Sequence, residues 1–168
     1  MRYKYMYSSS ESQYQGMLER GWRRFGRMHF VPECKACTKC VSMRIDVANY
    51  KFSKSEKRVI AKNKDTKLYI RPPSLTMEHL NLYDKYHRFM NDKKDWPYNP
   101  IEPEDYSKSY VEAKEEYAKE FLYIKDDKLI AVALVDILEN SISSIYCYYD
   151  HDYGDLSLGK FSILAQIK

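Results

Sequence analysis

Hydrophobic and polar positions are most informative in the last third of the chain. Beginning at Phe121, FLYIKDDKLIAVALVDIL and SISSIYCYY read as three successive strands, rich in β-branched and aromatic residues and separated only by polar breaks at 125–128 and 139–140. Breaks that short predict an antiparallel meander. DHDYGDLSLG follows as a glycine-containing loop, and FSILAQIK turns helical, so that Ser157, Leu158 and Gly159 begin a helix. The unpaired N–H groups of its first turn would face the loop, where an anion or a developing oxyanion can be held.

Upstream, the spacing predicts a short helix from Ser12, carrying Met17 and Leu18 and stopped by Gly21, after a Tyr- and Ser-rich lead-in over 1–10 without periodicity. MRIDVANYKF, residues 43–52, alternates as a strand. Ser53 and Glu56 form a capping box at the start of a helix over 53–63. Residues 75–90 read as an amphipathic helix with Leu80, Tyr83, His87 and Met90 inward, NDKKDWPYNPIEP as a loop, and Pro103 as the first turn of a helix bearing Tyr106, Tyr110, Ala113 and Tyr117. The fold class is α+β. A small basic, cysteine-bearing domain is expected over 1–65, a helical connector over 66–104, and a domain with an antiparallel sheet over 105–168.

Charge adds what the pattern does not show. Residues 1–65 carry 15 Lys and Arg against 6 Asp and Glu, a net +9, while residues 66–168 carry 13 against 18, a net −5. A basic half of this kind attracts phosphate backbones, although a solvated basic face would look the same. No run approaches the roughly 20 apolar residues needed to span a bilayer, and MRYKYMYSSSESQ lacks the apolar segment of a secretory signal, so a cytoplasmic protein is expected. Three of the four cysteines crowd into 34–40, too close for an ordinary disulfide framework, which suits a reducing compartment.

Four stretches carry candidate chemistry. In GWRRFGRMHF, Trp22, Phe25 and Phe30 interleave with Arg23, Arg24 and Arg27, a way of holding nucleic acid through phosphate contact and base stacking; the aromatics can equally be core. Cys34, Cys37 and Cys40, with His29 upstream, can be written as a tetrahedral zinc set, or as small polarizable groups that pack. Lys54, Lys57, Arg58 and Lys62 share one face of the helix over 53–63, where four cations repel one another unless a polyanion lies against them. Tyr149, Asp150 and Asp152 close the third strand, placed either to orient or deprotonate an attacking amine or, with Ser157, to serve as turn and capping residues. P-loop, GxGxxG, GxSxG and HExxH patterns are all absent, so nucleotide hydrolysis, hydride transfer and serine or metalloprotease chemistry lose their usual support.

Taken together, GWRRFG at 21–26, the cysteine triplet followed by Arg44 and Ile45, FSKSEKR at 52–58, KNKD at 62–65 and YYDHDYGDLSLGKFS at 148–162 resemble the arginyl-tRNA-protein transferase family, and within it the bacterial aspartate/glutamate leucyltransferase branch. Several spaced motifs in the right order, over most of the chain, make the likeness more specific than any one of them. It departs from the family's SxSQRR at Glu56 and Lys57, which keeps the basic helix, and from YDPD at His151, which loses a rigid turn.

The resemblance implies an amino-terminal cysteine-bearing domain and an acyltransferase domain similar to GCN5-related acetyltransferases. It also implies transfer of leucine from leucyl-tRNA to proteins beginning with Asp or Glu, marking them for degradation, with arginine as the alternative donor. The expected partners are aminoacyl-tRNA and those acceptor proteins, with neither membrane nor DNA. No cofactor is required, with zinc or an iron–sulfur cluster possible at the cysteines. On this reading Lys54, Lys57, Arg58 and Lys62 touch the tRNA. Arg23, Arg24 or Arg44, with Trp22 and Ser157, serve substrate binding, and Tyr149, Asp150, Asp152 and Gly159 frame the reaction.

The family continues into further strands past the SLG helix. Residues 121–168 are therefore expected to be the front half of an acyltransferase core, weakly stable and poorly active in 168 residues alone. A small-molecule acetyltransferase and a zinc-containing RNA-binding module without catalysis are the rival readings.

Overall fold

The computed structural model describes residues 1–113 and 115–168. In chain order its elements are strand β1 (Arg2–Tyr5), helix α1 (Glu11–Glu19), strands β2 (Arg23–Phe25) and β3 (Met28–Val31), helix α2 (Lys54–Lys62), strand β4 (Lys67–Arg71), helices α3 (Met77–Lys94) and α4 (Pro103–Tyr106), strands β5 (Ala118–Lys125), β6 (Lys128–Leu138) and β7 (Ser141–Tyr149), and helix α5 (Leu158–Ile167). The expected meander is present, and β4 extends it to a four-stranded antiparallel sheet in the order β4-β5-β6-β7. Asp126 and Asp127 have φ of 50° and 57°, the two left-handed positions of a tight hairpin turn between β5 and β6, which aspartate tolerates better than most residues.

Both faces of this sheet are covered. Leu122, Val132 and Tyr148 stand side by side in register and pack under Leu80, Tyr86 and Met90 of α3, while Phe121, Tyr123 and Ala133 face Leu156 and Leu158 at the start of α5. A strand buried on both sides gains nothing from alternation, which is why β6 reads IAVALV without a polar break. The stretch 66–104, expected as a helical connector, supplies the edge strand β4 and the helix α3 to this assembly.

The amino-terminal part forms a second sheet, β1-β3-β2, all antiparallel. Its first strand corrects the reading of 1–10 as patternless: exposed Tyr3 and Tyr5 alternate with Arg and Lys, and pairing with β3 rather than burial fixes them. Ser10 caps α1 by accepting from the Gln13 amide, and Gly21 leaves the helix at φ 84°. Tyr14, Met17 and Leu18 of α1 pack with Met6, Tyr117 and Leu138, joining the two sheets. At the β2–β3 turn Gly26 has φ 52°, and a Cβ there would collide with the Lys108 carbonyl oxygen, so only glycine allows this approach.

Other expectations shift. Residues 43–52 are irregular instead of a strand, exposed except for half-buried Tyr50 and Phe52; among the described residues no neighbouring strand takes up their hydrogen bonds, and a turn at Asp46–Tyr50 breaks the run. The helix α3 runs on to Lys94, ending at Asp95 in a left-handed conformation. The helix begun by Pro103 passes into a π-helical turn at Ser107–Val111 and stops short of Tyr117, which lies in the chain entering β5; Lys114, within that prediction, lies outside the described residues.

Candidate functional site

Beyond β7 the chain enters a 3₁₀ turn, His151–Leu156, capped by Asp150, which accepts from the Asp152 amide at 3.0 Å. Asp150 is only 1% exposed, and its own N–H donates to the Ile130 carbonyl of β6 at 2.8 Å. Lys85 of α3 lies 2.5 Å from Asp150 Oδ1 and 2.5 Å from Asp152 Oδ2, and Lys128 lies 2.9 Å from Asp150 Oδ2. Burial alone would raise the pKa of Asp150; the ammonium groups of Lys85 and Lys128 outweigh it and hold the carboxyl below its ordinary range. Both oxygens are therefore committed, and Asp150 is an anchored anion rather than an open proton acceptor.

Tyr149 and Gly159, separate in sequence, meet in space. A Cβ on Gly159 would lie 3.0 Å from Tyr149 Cε1, so the glycine lets the tyrosine ring lie against the first turn of α5. Ser157 holds φ 53° before that helix and its side chain caps nothing, which leaves the first-turn N–H groups without a side-chain acceptor from the capping position. His151, standing where the family's proline is expected, is stacked 3.5 Å from the Phe89 ring and 5.4 Å from the Tyr86 ring. Packing between two aromatics supplies the rigidity that the missing pyrrolidine would have given.

The basic helix α2 docks beside this loop. Its capping box at Ser53 and Glu56 is complete, and Lys54, Lys57, Arg58 and Lys62 are all exposed. Lys62 Nζ reaches the Asp155 carbonyl at 3.1 Å. The buried Asn63 amide donates to the Leu156 carbonyl at 2.9 Å and to Val59 of its own helix. The face expected to meet tRNA and the loop expected to frame the reaction are thus held together by two backbone carbonyls.

The remaining predicted residues lie elsewhere. Arg24 is 5% exposed and forms a two-pronged ion pair with Asp136 of β6, with Nε to Oδ2 at 2.9 Å, and it sits over the rings of Tyr14 and Tyr117. Expected to meet substrate, it is enclosed. Trp22 packs against the cluster of Met6, Tyr14, Met17 and Leu18, covered by the Arg2 guanidinium at 5.2 Å. Arg23 and Arg44 line one groove of about 590 Å³ between α1, residues 43–48, the start of β7 and the far end of α5, with Arg44 donating to the Glu19 carbonyl at 2.9 Å. At 1.5 Å per residue, that groove begins at Ile163, roughly 6 Å along α5 from Gly159. Cys34, Cys37 and Cys40 are exposed and unpaired. His29, their expected fourth partner, is buried edge-on to Tyr14 with Nδ1 on the Arg27 carbonyl. Among the described residues no group of three His, Cys, Asp or Glu is placed to hold a metal ion.

Comparison with known proteins matches residues 1–58 to the family model for the arginine-tRNA-protein transferase N terminus and residues 78–168 to that for its C terminus. The chain belongs to this family. An aspartate/glutamate leucyltransferase of Campylobacter jejuni is 48% identical over all 168 residues, which cover 70% of that protein. Proteins of the same name from Helicobacter hepaticus and Saccharophagus degradans are 44% and 32% identical over 99% and 96% of the chain, covering 69% and 67% of theirs. Lys85 and Lys128, which hold Asp150, were not legible in the sequence; nothing in an amphipathic helix or a β-turn marks a lysine as the partner of a remote carboxylate. A second missed cluster centres on Glu120 of β5, fully buried, which accepts from Arg71 at 2.7 Å and from the hydroxyl and amide of Ser74 at 2.9 and 3.1 Å, with His79 Nε2 at 3.4 Å. It ties β4 to the start of α3. No described helix is long and apolar enough to cross a membrane.

Proposed function

We propose that this chain transfers leucine from leucyl-tRNA to the α-amine of proteins beginning with Asp or Glu, in line with the names of its relatives and its family, and that this transfer marks those proteins for degradation. The observation that carries the assignment to this site is the docking of α2 on the Asp155 and Leu156 carbonyls, which sets a row of exposed cations beside Tyr149 and Gly159. Lys54, Lys57, Arg58 and Lys62 take the tRNA backbone, and the loop and first turn of α5 receive its aminoacyl end. Residues 1–65 serve as a basic amino-terminal domain and residues 105–168 as the acyltransferase-like part, whose sheet and covering helix are completed by β4 and α3 from 66–104.

An aminoacyl ester is already activated, so the chemistry asks for alignment more than for a strong base. An amino-terminal amine has a pKa of about 7.7–8.0 and is partly neutral at pH 7. Its lone pair attacks the leucyl carbonyl and a C–N bond forms. The oxyanion is held by the free N–H groups of α5, and the C–O ester bond then breaks. The proton shed by the amine ends on the tRNA ribose oxygen that departs. Tyr149, against Gly159, bounds the place where the ester lies. Asp150 and Asp152 hold the loop, and the Arg23–Arg44 groove takes the acceptor polypeptide beyond its first residue.

The test pairs leucyl-tRNA and arginyl-tRNA with peptides beginning in Asp, Glu or Ala. Leucine transfer to the first two only is the expected result. Transfer of arginine instead would reassign the donor, and transfer to the Ala peptide at an equal rate would remove the acceptor assignment.

A further inference from the structure

We propose that Lys85 is a positioning residue for the transfer reaction: by joining Asp150 to Asp152 it holds the segment between Tyr149 and Gly159 where the aminoacyl ester is received. This rests on the reading of that segment as the reaction site. Among the described residues Lys85 is the cation that bridges both carboxylates, at 2.5 Å each. Lys128 meets Asp150 alone, from the start of β6 and next to the strand end it would have to hold.

Geometry distinguishes positioning from binding. Two lysines and two aspartates leave the cluster neutral, and each Lys85 contact is to a protein carboxylate, so the group has little charge to offer a substrate. What it does is mechanical. Asp150 is tied to β6 through its N–H on the Ile130 carbonyl and to the 3₁₀ turn through the Asp152 amide, so whatever fixes its side chain fixes the junction. The same helix also contributes Tyr86 and Phe89, between whose rings His151 is stacked. Thus α3 holds the first half of the loop by one ion bridge and one aromatic sandwich, while α2 holds its second half through Lys62 and Asn63. The tRNA contacts proposed for α2 do not pass through Lys85. Releasing Lys85 should therefore disturb the chemical step and leave tRNA affinity in place.

The experiment compares the full chain with Lys85→Met, Lys85→Arg, Lys128→Met and Asp152→Asn. It measures kcat and the KM for leucyl-tRNA in leucine transfer to an Asp-initiated peptide, amide hydrogen exchange over 151–157, and the melting profile. Lys85→Met should lower kcat about 30- to 100-fold, the scale on which small misplacements act, with KM changed by less than about twofold. Exchange over 151–157 should quicken by about tenfold or more as the loop opens locally. Lys85→Arg keeps the charge and reach and should return kcat to within about fivefold, whereas Lys128→Met should cost less than Lys85→Met.

If Lys85→Met melts without cooperativity, Asp152→Asn decides, since it removes only the exposed arm of the bridge; there kcat should fall and exchange quicken together. A kcat for Lys85→Met within about threefold of wild type, a loss residing wholly in KM, an arginine no better than methionine, or unchanged exchange in Asp152→Asn would each overturn the proposal. Wild-type protein that transfers no leucine would instead refute the functional reading, and the exchange data would still decide whether Lys85 holds the loop.

Discussion

Asp136 and Asp150 stand toward opposite ends of the same sheet, both almost wholly buried and both bonded to basic residues from other elements. Asp136 faces Arg24, whose guanidinium is itself sealed beneath Tyr14 and Tyr117. Asp150 faces Lys85 and Lys128, whose side chains are 42% and 54% exposed. The first pair joins the amino-terminal hairpin to the sheet almost wholly out of solvent; the second holds a loop at the surface. An enclosed guanidinium with fixed geometry suits a permanent joint, and hydrated ammonium groups on flexible stems suit a boundary open to solvent.

The largest effect should come from opening the sealed joint. Arg24→Ala leaves Asp136 buried without its partner and should cost about 3–5 kcal/mol, read as a lower urea midpoint, while an apolar replacement of both residues should recover part of the loss. Second is charge reversal at Lys54, Arg58 and Lys62, which should weaken tRNA binding about 100-fold and make its salt dependence shallower by about two to three ions; unchanged binding would detach α2 from the tRNA. Gly159→Ala should separate stability from activity. A helical Ala gains roughly 0.5–1 kcal/mol over Gly, which the 3.0 Å approach to Tyr149 opposes, so the melting point should stay nearly fixed while transfer drops about tenfold.

The smallest effect concerns acid. Burial lowers the pKa of His29, His87 and His151, so the folded protein resists protonation that the unfolded chain accepts near pH 6.5. Their contribution is full above that pH and is lost as pH falls through it toward the folded values. His151→Phe keeps the stack and removes one titrating group, and its stability curve below pH 6.5 should be flatter than that of wild type.

The meander, α1, α2 and α3 were legible because each carries a local signal: β-branched runs with short breaks, a capping serine with a glutamate three residues on, or inward positions at helical spacing. The strands β1 and β4 were not, since their apolar side chains are exposed and their order comes from backbone pairing with distant strands. Residues 43–52 have the alternation of a strand but lack a neighbour to pair with. At the site, the basic face of α2 and the Tyr149–Gly159 region were readable from motif and charge, but the burial of Arg24 was not, because an arginine beside aromatics looks alike inside and outside. One clue was present: Asp136 follows IAVALV within the same strand, and a carboxylate in a doubly buried strand requires a cation from somewhere. Which arginine answers it, and which lysine answers Asp150, depends on contacts across 112 and 65 residues.

The strand β4 leaves a colloidal consequence. Its outer side pairs with no strand among the described residues, and Leu68, Tyr69 and Ile70 stand exposed between Lys67 and Arg71. Lys67 and Arg71 have Asp127 and Glu120 as partners, so the repulsion that keeps two copies from meeting edge to edge is that of the chain's net charge of +4. Salt weakens that repulsion and leaves the apolar attraction, so concentrated protein should remain dispersed at low ionic strength and self-associate as salt is raised, with light scattering as the measure.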